Sequence, residues 1–505
     1  MIQRHGEVWI GVWEDAPGPE MLFRLLAGRK HLAWLDSASN PRGMGSSQRL
    51  GRWSYMAADP WKVIRGRVGE FMVEGRNKTS ADPWTLWEDQ QGSFTNDWSA
   101  PEPDLPPFQG GWIFSLGYEL GQTIERLPRA LHDEFEIPDL WAGAYDCLVA
   151  WDHEKEKCFI VASGRSAGEP MGREESAIKS ITDLKKLAGK KNPVSPVPNS
   201  NQGQFPVIPH RLSRVPLPRH PELEIFGHFH REEFEAAVAR AVEYIHAGDC
   251  FQVNLAQRLL GRLSVSAPDL YLRLRQVNPA PFAGFLDLGD AVVASASPER
   301  FLRLGQGGWV ETRPIKGTRR RGTSPGEDEA LARELLESAK DRAENVMIVD
   351  LLRNDLGRVC SPGSISVDEV CRLESYPTVH HMVSVVRGKL DPQKNPWDLL
   401  RATFPGGSVT GAPKIRSMEI ITELESVARG PYCGSLGWLG DNCQMDTNIL
   451  IRTFIAKGGW VEFAVGGGIV ADSKPSLEYE ETLHKAEGLL RALNSPHSLN
   501  CPIPL

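Results

Sequence analysis

A chain of 505 residues with 41% hydrophobic and 24% charged side chains has the composition of a soluble, folded protein large enough for two or three domains. Its formal net charge of -8 argues against a general nucleic-acid binder, which needs a basic surface, and leaves any anionic ligand to a local pocket. The eight cysteines are scattered without a Cys-x-x-Cys pair, which speaks against zinc and a disulfide framework; no signal-peptide core and no run of about 18 apolar residues occurs, so the expected compartment is the cytoplasm, with no membrane partner.

In chain order, residues 1–185 read as mixed strand and loop with short helices, the aromatic and β-branched content of 8–13, 31–35 and 145–151 predicting strands. Many tryptophans lie here, and core packing is their expected role. The stretch 108–121 sets glycines among aromatics at short intervals, which suits close packing ahead of a ligand wall. Repeated prolines over 186–222 predict a linker or surface crossing. The spacing of Phe234, Val238, Ala241, Val242 and Ile245 then predicts a helix over 230–245, ending at Gly248. Strands are expected at 253–260, 282–288 and 291–304, the last turned by 305–308 into 309–312. Helices follow at 327–338, 340–356, 397–404 and 413–424, then a glycine-punctuated meander at 433–439, 448–456 and 460–470, and a closing helix at 477–493. The chain thus divides into 1–185, a crossing at 186–222, and 223–495.

Lys316 is the candidate nucleophile. It lies between Pro314 and Gly317 in a constrained, non-helical segment, with Arg313, Arg319, Arg320 and Arg321 within five positions. Facing arginines would favour the neutral, attacking amine, whereas the competing reading is a solvated basic loop. Glu299, across the predicted hairpin, is a candidate general acid that burial would keep protonated, or else an ion-pair partner of Arg300 or another arginine. Asp341 with Glu344 and Glu478 with Glu481 each stand three residues apart on a predicted helix, one side each. Two such sides can hold Mg²⁺, which takes one or two carboxylates and keeps waters; the plainer reading is a solvated helix face. The glycine-rich loop 404–414 enters a helix and offers backbone donors to an anion, but Ala412 and Pro413 separate Gly411 from Lys414, so it fails as a nucleotide P-loop. Gly466, Gly467 and Gly468 can bring bare backbone against a carboxylate, with Arg452 as a bidentate partner. His380 and His381 cannot share one strand face, so at most one enters a site.

These residues, together with their neighbours, form an ordered series. SPERF (297–301), PIKGTRRRG (314–322), DRAENVMIVDLLRNDLGR (341–358), FPGGSVTGAPK (404–414), GSLGW (434–438), MDTNILIRT (445–453), GGGIVADS (466–473) and EYEETLHKA (478–486) resemble the motifs of the chorismate-utilising enzymes over about 225–495. WLDSA, GRWSYMAADP and GGWIFSLGYELG are similar, less tightly, to the accompanying N-terminal domain of the family's amine-forming large subunits. The resemblance implies an α+β fold, with layered antiparallel sheets from both sequence regions and helices outside.

Within the family, anthranilate synthases carry Pro-Ile-Ala-Gly-Thr, and the lysine form is that of the aminodeoxychorismate synthase branch. The resemblance therefore implies synthesis of 4-amino-4-deoxychorismate for p-aminobenzoate and folate. In that route Lys316 attacks C2 of chorismate, Glu299 protonates the departing C4 hydroxyl, and ammonia then attacks C4 and releases the lysine from C2. It further implies Mg²⁺ held directly by Glu344 and Glu481 and through waters by Asp341 and Glu478. Tyr432, Arg452, Gly466 and Gly468 would receive the enolpyruvyl carboxylate, with Lys485 and Ser408 lining the site. His381 matches a histidine that relatives place near substrate, without a step to perform here. Ammonia would come from a separate glutamine amidotransferase subunit, since the chain lacks that chemistry of its own and Cys433 does not supply it. Tryptophan is a further candidate ligand of the first domain. The alternatives are an anthranilate synthase component I, an isochorismate or salicylate synthase, and a non-catalytic ligand-binding subunit that keeps the fold.

Overall fold

The computed structural model describes residues 2–38, 50–76, 79–91, 104–168, 172–189, 212–376 and 379–494. Among them, a 14-stranded and a 12-stranded sheet pack face to face, with helices on both outer faces. The larger sheet runs Ile2–His5, Val8–Val12, Lys157–Ala162, Cys147–Asp152, Trp53–Ala57, Ala33–Asp36, Phe282–Asp287, Val292–Ser297, Thr453–Lys457, Trp460–Ile469, Gln252–Arg262, Ile225–Gly227, Ser213–Arg214, and Gly411–Ala412 joins Gln252–Arg262 from the side. The smaller runs Ile315–Arg320, Val379–Lys389, Trp309–Thr312, Arg300–Leu304, Met445–Asn448, Ser435–Gly440, Gly111–Leu116, Leu140–Tyr145, Lys62–Arg67, Glu70–Val73, Thr79–Ser80, with Ser366–Ser375 paired to Val379–Lys389.

Both sheets are shared by the two ends of the sequence. Ala33–Asp36 pairs antiparallel with Phe282–Asp287, and Gly111–Leu116 with Ser435–Gly440. Apolar residues that alternate along these strands meet in one inner layer, Tyr55, Val293 and Ile455 from one sheet against Ile113, Leu436 and Trp438 from the other. The outer face of the larger sheet lies under Pro19–Leu26, Arg173–Ala188, Ala267–Val277 and Pro475–Asn494. That of the smaller lies under Pro83–Gln91, Ala339–Gly357 and Pro396–Thr403, while Lys414–Glu425 packs on Gln252–Arg262 of the larger sheet. No helix among the described residues is long and apolar enough to cross a membrane. Most of the crossing expected at 186–222 falls on 190–211, outside the described residues.

Helix expectations hold closely. The helix expected at 230–245 is Arg231–His246, opened by the Glu233 carboxylate accepting from the His230 N–H at 2.8 Å. Two strand expectations need correction. The single strand expected at 291–304 is two strands, Val292–Ser297 in the larger sheet and Arg300–Leu304 in the smaller, because Pro298 has no N–H for a ladder and the chain changes sheet there. The stretch 448–456 divides likewise into Met445–Asn448 and Thr453–Lys457. The two crossings lie side by side, the Ile449 N–H donating to the Glu299 carbonyl at 3.1 Å. The paired strands Ser366–Ser375 and Val379–Lys389 have no counterpart among the expected elements.

Candidate active site

Glu299 leaves the first crossing and Arg452 the second, so both belong to chain that runs between the sheets. Arg452 holds φ at 54°, the left-handed region, and its Nη1 donates to the Lys485 carbonyl at 2.7 Å. Glu299 is buried, and Ser408 Oγ donates to its Oε1 at 2.6 Å. Arg300 does not pair with it; that guanidinium is taken by Asp446 at 2.9 Å and Glu311 at 2.8 Å. Burial pushes the Glu299 carboxyl up to about 7, against the Ser408 hydroxyl, the Lys316 charge and the Ile315 N–H, which favour ionisation.

Lys316 lies at a bulge. Strand Ile315–Arg320 pairs Ile315 with Val383 and Thr318 with His381, so three steps on one strand oppose two on the other, with Lys316 and Gly317 in the irregularity. Gly317, at φ +82, brings the strand so near helix Ala339–Gly357 that a Cβ there would stand 3.0 Å from Asp341 Cγ. Lys316 Nζ donates to the Ser408 carbonyl at 3.2 Å. Ser408 thus touches the amine with its carbonyl and the acid with its hydroxyl.

Burial pushes the Lys316 amine below its ordinary value, opposed by Glu344 and Glu299 and reinforced by Lys485. The arginine neighbours are not among the charges acting on it, which corrects the sequence expectation. Each is compensated by acid: Arg313 by Glu374, Arg319 by Glu334 at 2.8 Å and Asp341 at 3.2 Å, Arg320 by Glu327, and Arg321 by Asp328 at 2.7 Å.

One acid of each pair, Glu344 and Glu481, acts on this lysine, each from its own helix. Ser338 caps Ala339–Gly357 by accepting from the Asp341 N–H at 3.2 Å, which sets Asp341 and Glu344 on its first turns. Burial raises Glu344, and Asp341 and Glu481 add like charge. Glu478 and Glu481 lie on Pro475–Asn494, and bare Gly467 lets the strand approach them: a Cβ there would be 3.5 Å from Glu478 Oε2 and from Glu481 Oε1, and 3.3 Å from Lys485 Nζ. Ser473 Oγ donates to Glu478 at 2.7 Å; burial, with Glu481 adding like charge, raises that carboxyl. Burial would raise Glu481 too, but Lys485 at 2.7 Å outweighs it and holds the group below the carboxylate range. Among the described residues, no three of His, Cys, Asp and Glu converge as a closed metal cage. An all-carboxylate donor set split between two helices fits a hard cation that takes two direct oxygens and keeps waters, the preference of Mg²⁺.

The remaining expected residues take these positions. Lys485 Nζ donates to the Gly466 carbonyl at 2.8 Å, and a Cβ at Gly468 would meet the Gln252 amide at 2.0 Å. Tyr432 is buried, and its phenol is among the groups acting on Arg452. His381 is buried with Nδ1 2.9 Å from Thr318 Oγ1; burial, Arg452 and His380 push it down to about 3, so its imidazole is neutral near pH 7. His380 turns to Ser375 and Asp328 instead. The Lys414 end of the glycine-rich loop turns away from this group of side chains to Asp355, at 2.6 Å. Burial pushes the Cys433 thiol up to about 12, unsuited to nucleophilic work. Thr318, Ser473 and Gln252, which lie against His381, Glu478 and Gly468, were not singled out in the sequence, although Thr318 stands inside PIKGTRRRG and Ser473 closes GGGIVADS.

The chain belongs to the chorismate binding enzyme family, matched over residues 48–491. It is 41% identical over 446 residues to anthranilate synthase component 1 of Thermus thermophilus, covering 88% of this chain and 90% of that one. It is 40% identical over 445 residues to aminodeoxychorismate synthase component 1 of Escherichia coli, again covering 88% and 90%. Among solved structures, it is similar to anthranilate synthase component I of Streptococcus pneumoniae with a TM-score of 0.71 and 32% identity, covering 88% of this chain and 94% of that one.

Proposed function

We propose that this chain forms 4-amino-4-deoxychorismate from chorismate and ammonia, for p-aminobenzoate and folate synthesis, and that a separate glutaminase subunit supplies the ammonia. One observation carries the reading: Lys316, the lysine form that the family resemblance ties to the aminodeoxychorismate branch, shares Ser408 with a buried acid, at 3.2 Å and 2.6 Å. Nζ of Lys316 forms a bond to C2, the ring double bonds shift, and the C4–O bond breaks. The Glu299 carboxyl donates the proton that lets the hydroxyl leave as water. Ammonia then bonds to C4 as the C2–N bond breaks, which returns the lysine.

Arg452, Tyr432, Gly466 and Gly468 receive the enolpyruvyl carboxylate, and Lys485 and Ser408 line the ring site. Glu344 and Glu481 would bind Mg²⁺ directly, with Asp341 and Glu478 through waters. Bound there, the cation supplies charge neutralisation and orientation of the ring carboxylate. Neutral His381 lends a non-charged wall beside Arg452. For tryptophan, the reading assigns the cavity of about 380 Å³ that includes Ser37, Pro281, Phe282 and Trp438; a calorimetric titration with L-tryptophan that gave no heat would remove it.

Similar identity to the Thermus thermophilus anthranilate synthase keeps a second reading in play, formation of anthranilate. The purified chain, given chorismate, Mg²⁺ and an ammonium salt, is expected to yield 4-amino-4-deoxychorismate. Anthranilate or isochorismate as the main product would defeat the proposal.

A further inference from the structure

Ser408 stands in a single 3-10 turn, Gly407–Val409, within the connection 404–413, and holds two reacting groups at hydrogen-bond distance. Arg429 holds the next carbonyl, that of Val409, at 3.1 Å and the Asn254 N–H holds that of Thr410 at 2.8 Å, and a further anchor lies on the far side of the loop. Helix Pro396–Thr403 leads in and helix Lys414–Glu425 leads out. Lys414 Nζ meets Asp355 Oδ2 at 2.6 Å and donates to the Thr403 carbonyl at 2.9 Å, so one ammonium closes the base of the loop. The Asp355 side chain is 3% exposed and that of Lys414 12%. Asp355 ends helix Ala339–Gly357, whose first turns carry Asp341 and Glu344, and Arg358 braces its other oxygen at 3.0 Å.

The loop has little slack between its ends. A Cβ at Gly407 would stand 2.6 Å from Leu351 on that helix, and one at Gly406 2.6 Å from Ile449 in the second crossing. Thr410 Oγ1 ties back to the Gly406 carbonyl at 3.1 Å. A buried ion pair is weak evidence for stability, because desolvation cancels much of its attraction, and an apolar pair of similar volume serves folding as well. Its directional bonds do what an apolar pair cannot: they set the separation of three helix ends.

We infer that Asp355 and Lys414 are positioning residues, a buried clamp that sets Ser408 against Glu299 and Lys316 and registers this loop with the helix that bears Asp341 and Glu344. The inference deepens the proposed function and rests on its assignment of Glu299 and Lys316 to the chemistry. Its test scores chorismate consumption with ammonium, which is readable whichever amine is formed, so a wrong product assignment and a wrong clamp are told apart.

The variants are Lys414→Met and the apolar pair Asp355→Leu with Lys414→Met, each made with Ser408 intact and with Ser408→Ala. With Ser408 intact, kcat is expected to fall on the order of 10- to 100-fold, the scale of a misplaced catalytic contact, while KM changes little and the apolar pair keeps its melting temperature; Lys414→Met alone, which leaves Asp355 buried without its ammonium, is expected to melt lower. The basic limb of the pH profile should move upward. The charged and hydrogen-bonding groups facing Glu299 are Lys316, Cys433, the Ile315 N–H and Ser408, and only Ser408 would be withdrawn. In the Ser408→Ala background the same changes should cost less than about 2-fold, since the contact they serve is already gone. A full loss in that background, or unchanged kcat and pH profile in the apolar pair, would overturn the inference. If Lys414→Met alone does not fold, the apolar pair decides.

Discussion

At Lys316, two influences on one amine have opposite sign. Burial favours the neutral nucleophile, while Glu344 and Glu299 favour the ammonium. A neighbouring Glu299 near pH 7 can then give its proton without first becoming an anion. Glu299→Gln is expected to lower kcat by about 10²- to 10⁴-fold, the range for a positioned acid, with chorismate binding largely kept; an unchanged kcat would remove it from proton transfer. For the native enzyme, kcat/KM should fall as pH rises through about 7, as the acid is lost. Ser408→Ala should move that limb upward, because its donated hydrogen bond favours the carboxylate. Turnover quenched without ammonia should leave chorismate less water on the peptide containing Lys316, and mass spectrometry that found no adduct there would contradict the covalent route. The sequence displayed the lysine and the acid, but not the cause of the lowered amine. Arginines adjacent in sequence looked like its charge environment, whereas each finds a carboxylate and the effective neighbours come from other elements.

At the scale of helices, Ala339–Gly357 and Pro475–Asn494 each carry two carboxylates, of which Glu344 and Glu481 act on Lys316, and Gly317 and Gly467 let their strands approach these helices. Glu344→Gln is therefore expected to raise the Mg²⁺ concentration for half-activation at least about 10-fold, the cost of losing one of two direct oxygens. An unaltered Mg²⁺ titration would take Glu344 out of the metal site. These helices were legible because their caps and apolar spacing are local. The strands flanking them were less so. The run 291–304 is apolar and β-rich throughout, and only Pro298 marks where it leaves one sheet for the other. Strands Ser366–Ser375 and Val379–Lys389 were missed; the former, a winding edge with two register irregularities, shows no clean alternation.

For the whole molecule, the interleaving of distant segments has a direct consequence for folding. Strands from residues 1–185 hold neighbours from 223–495 in both sheets, so neither stretch owns a complete inner layer. Expressed alone, each is expected to lack a cooperative melt; expressed together as separate chains, they are expected to associate. A sharp independent transition for either stretch would show that it completes its own core. Composition shifts along the chain cannot reveal this arrangement, because pairing across more than two hundred residues depends on which faces match in space.

The irregular pairing at Lys316 also stores information as a count. Removing Gly317 would leave two steps on each strand between Ile315 and Thr318, a regular ladder with Lys316 opposite Met382. Met382 lies in an apolar cluster with Leu335 and Cys371, so the parity of the strand would turn the amine into oil. The chemistry at this position is then encoded by spelling and also by length, and a single-residue deletion would silence the enzyme with every reacting side chain still in its sequence.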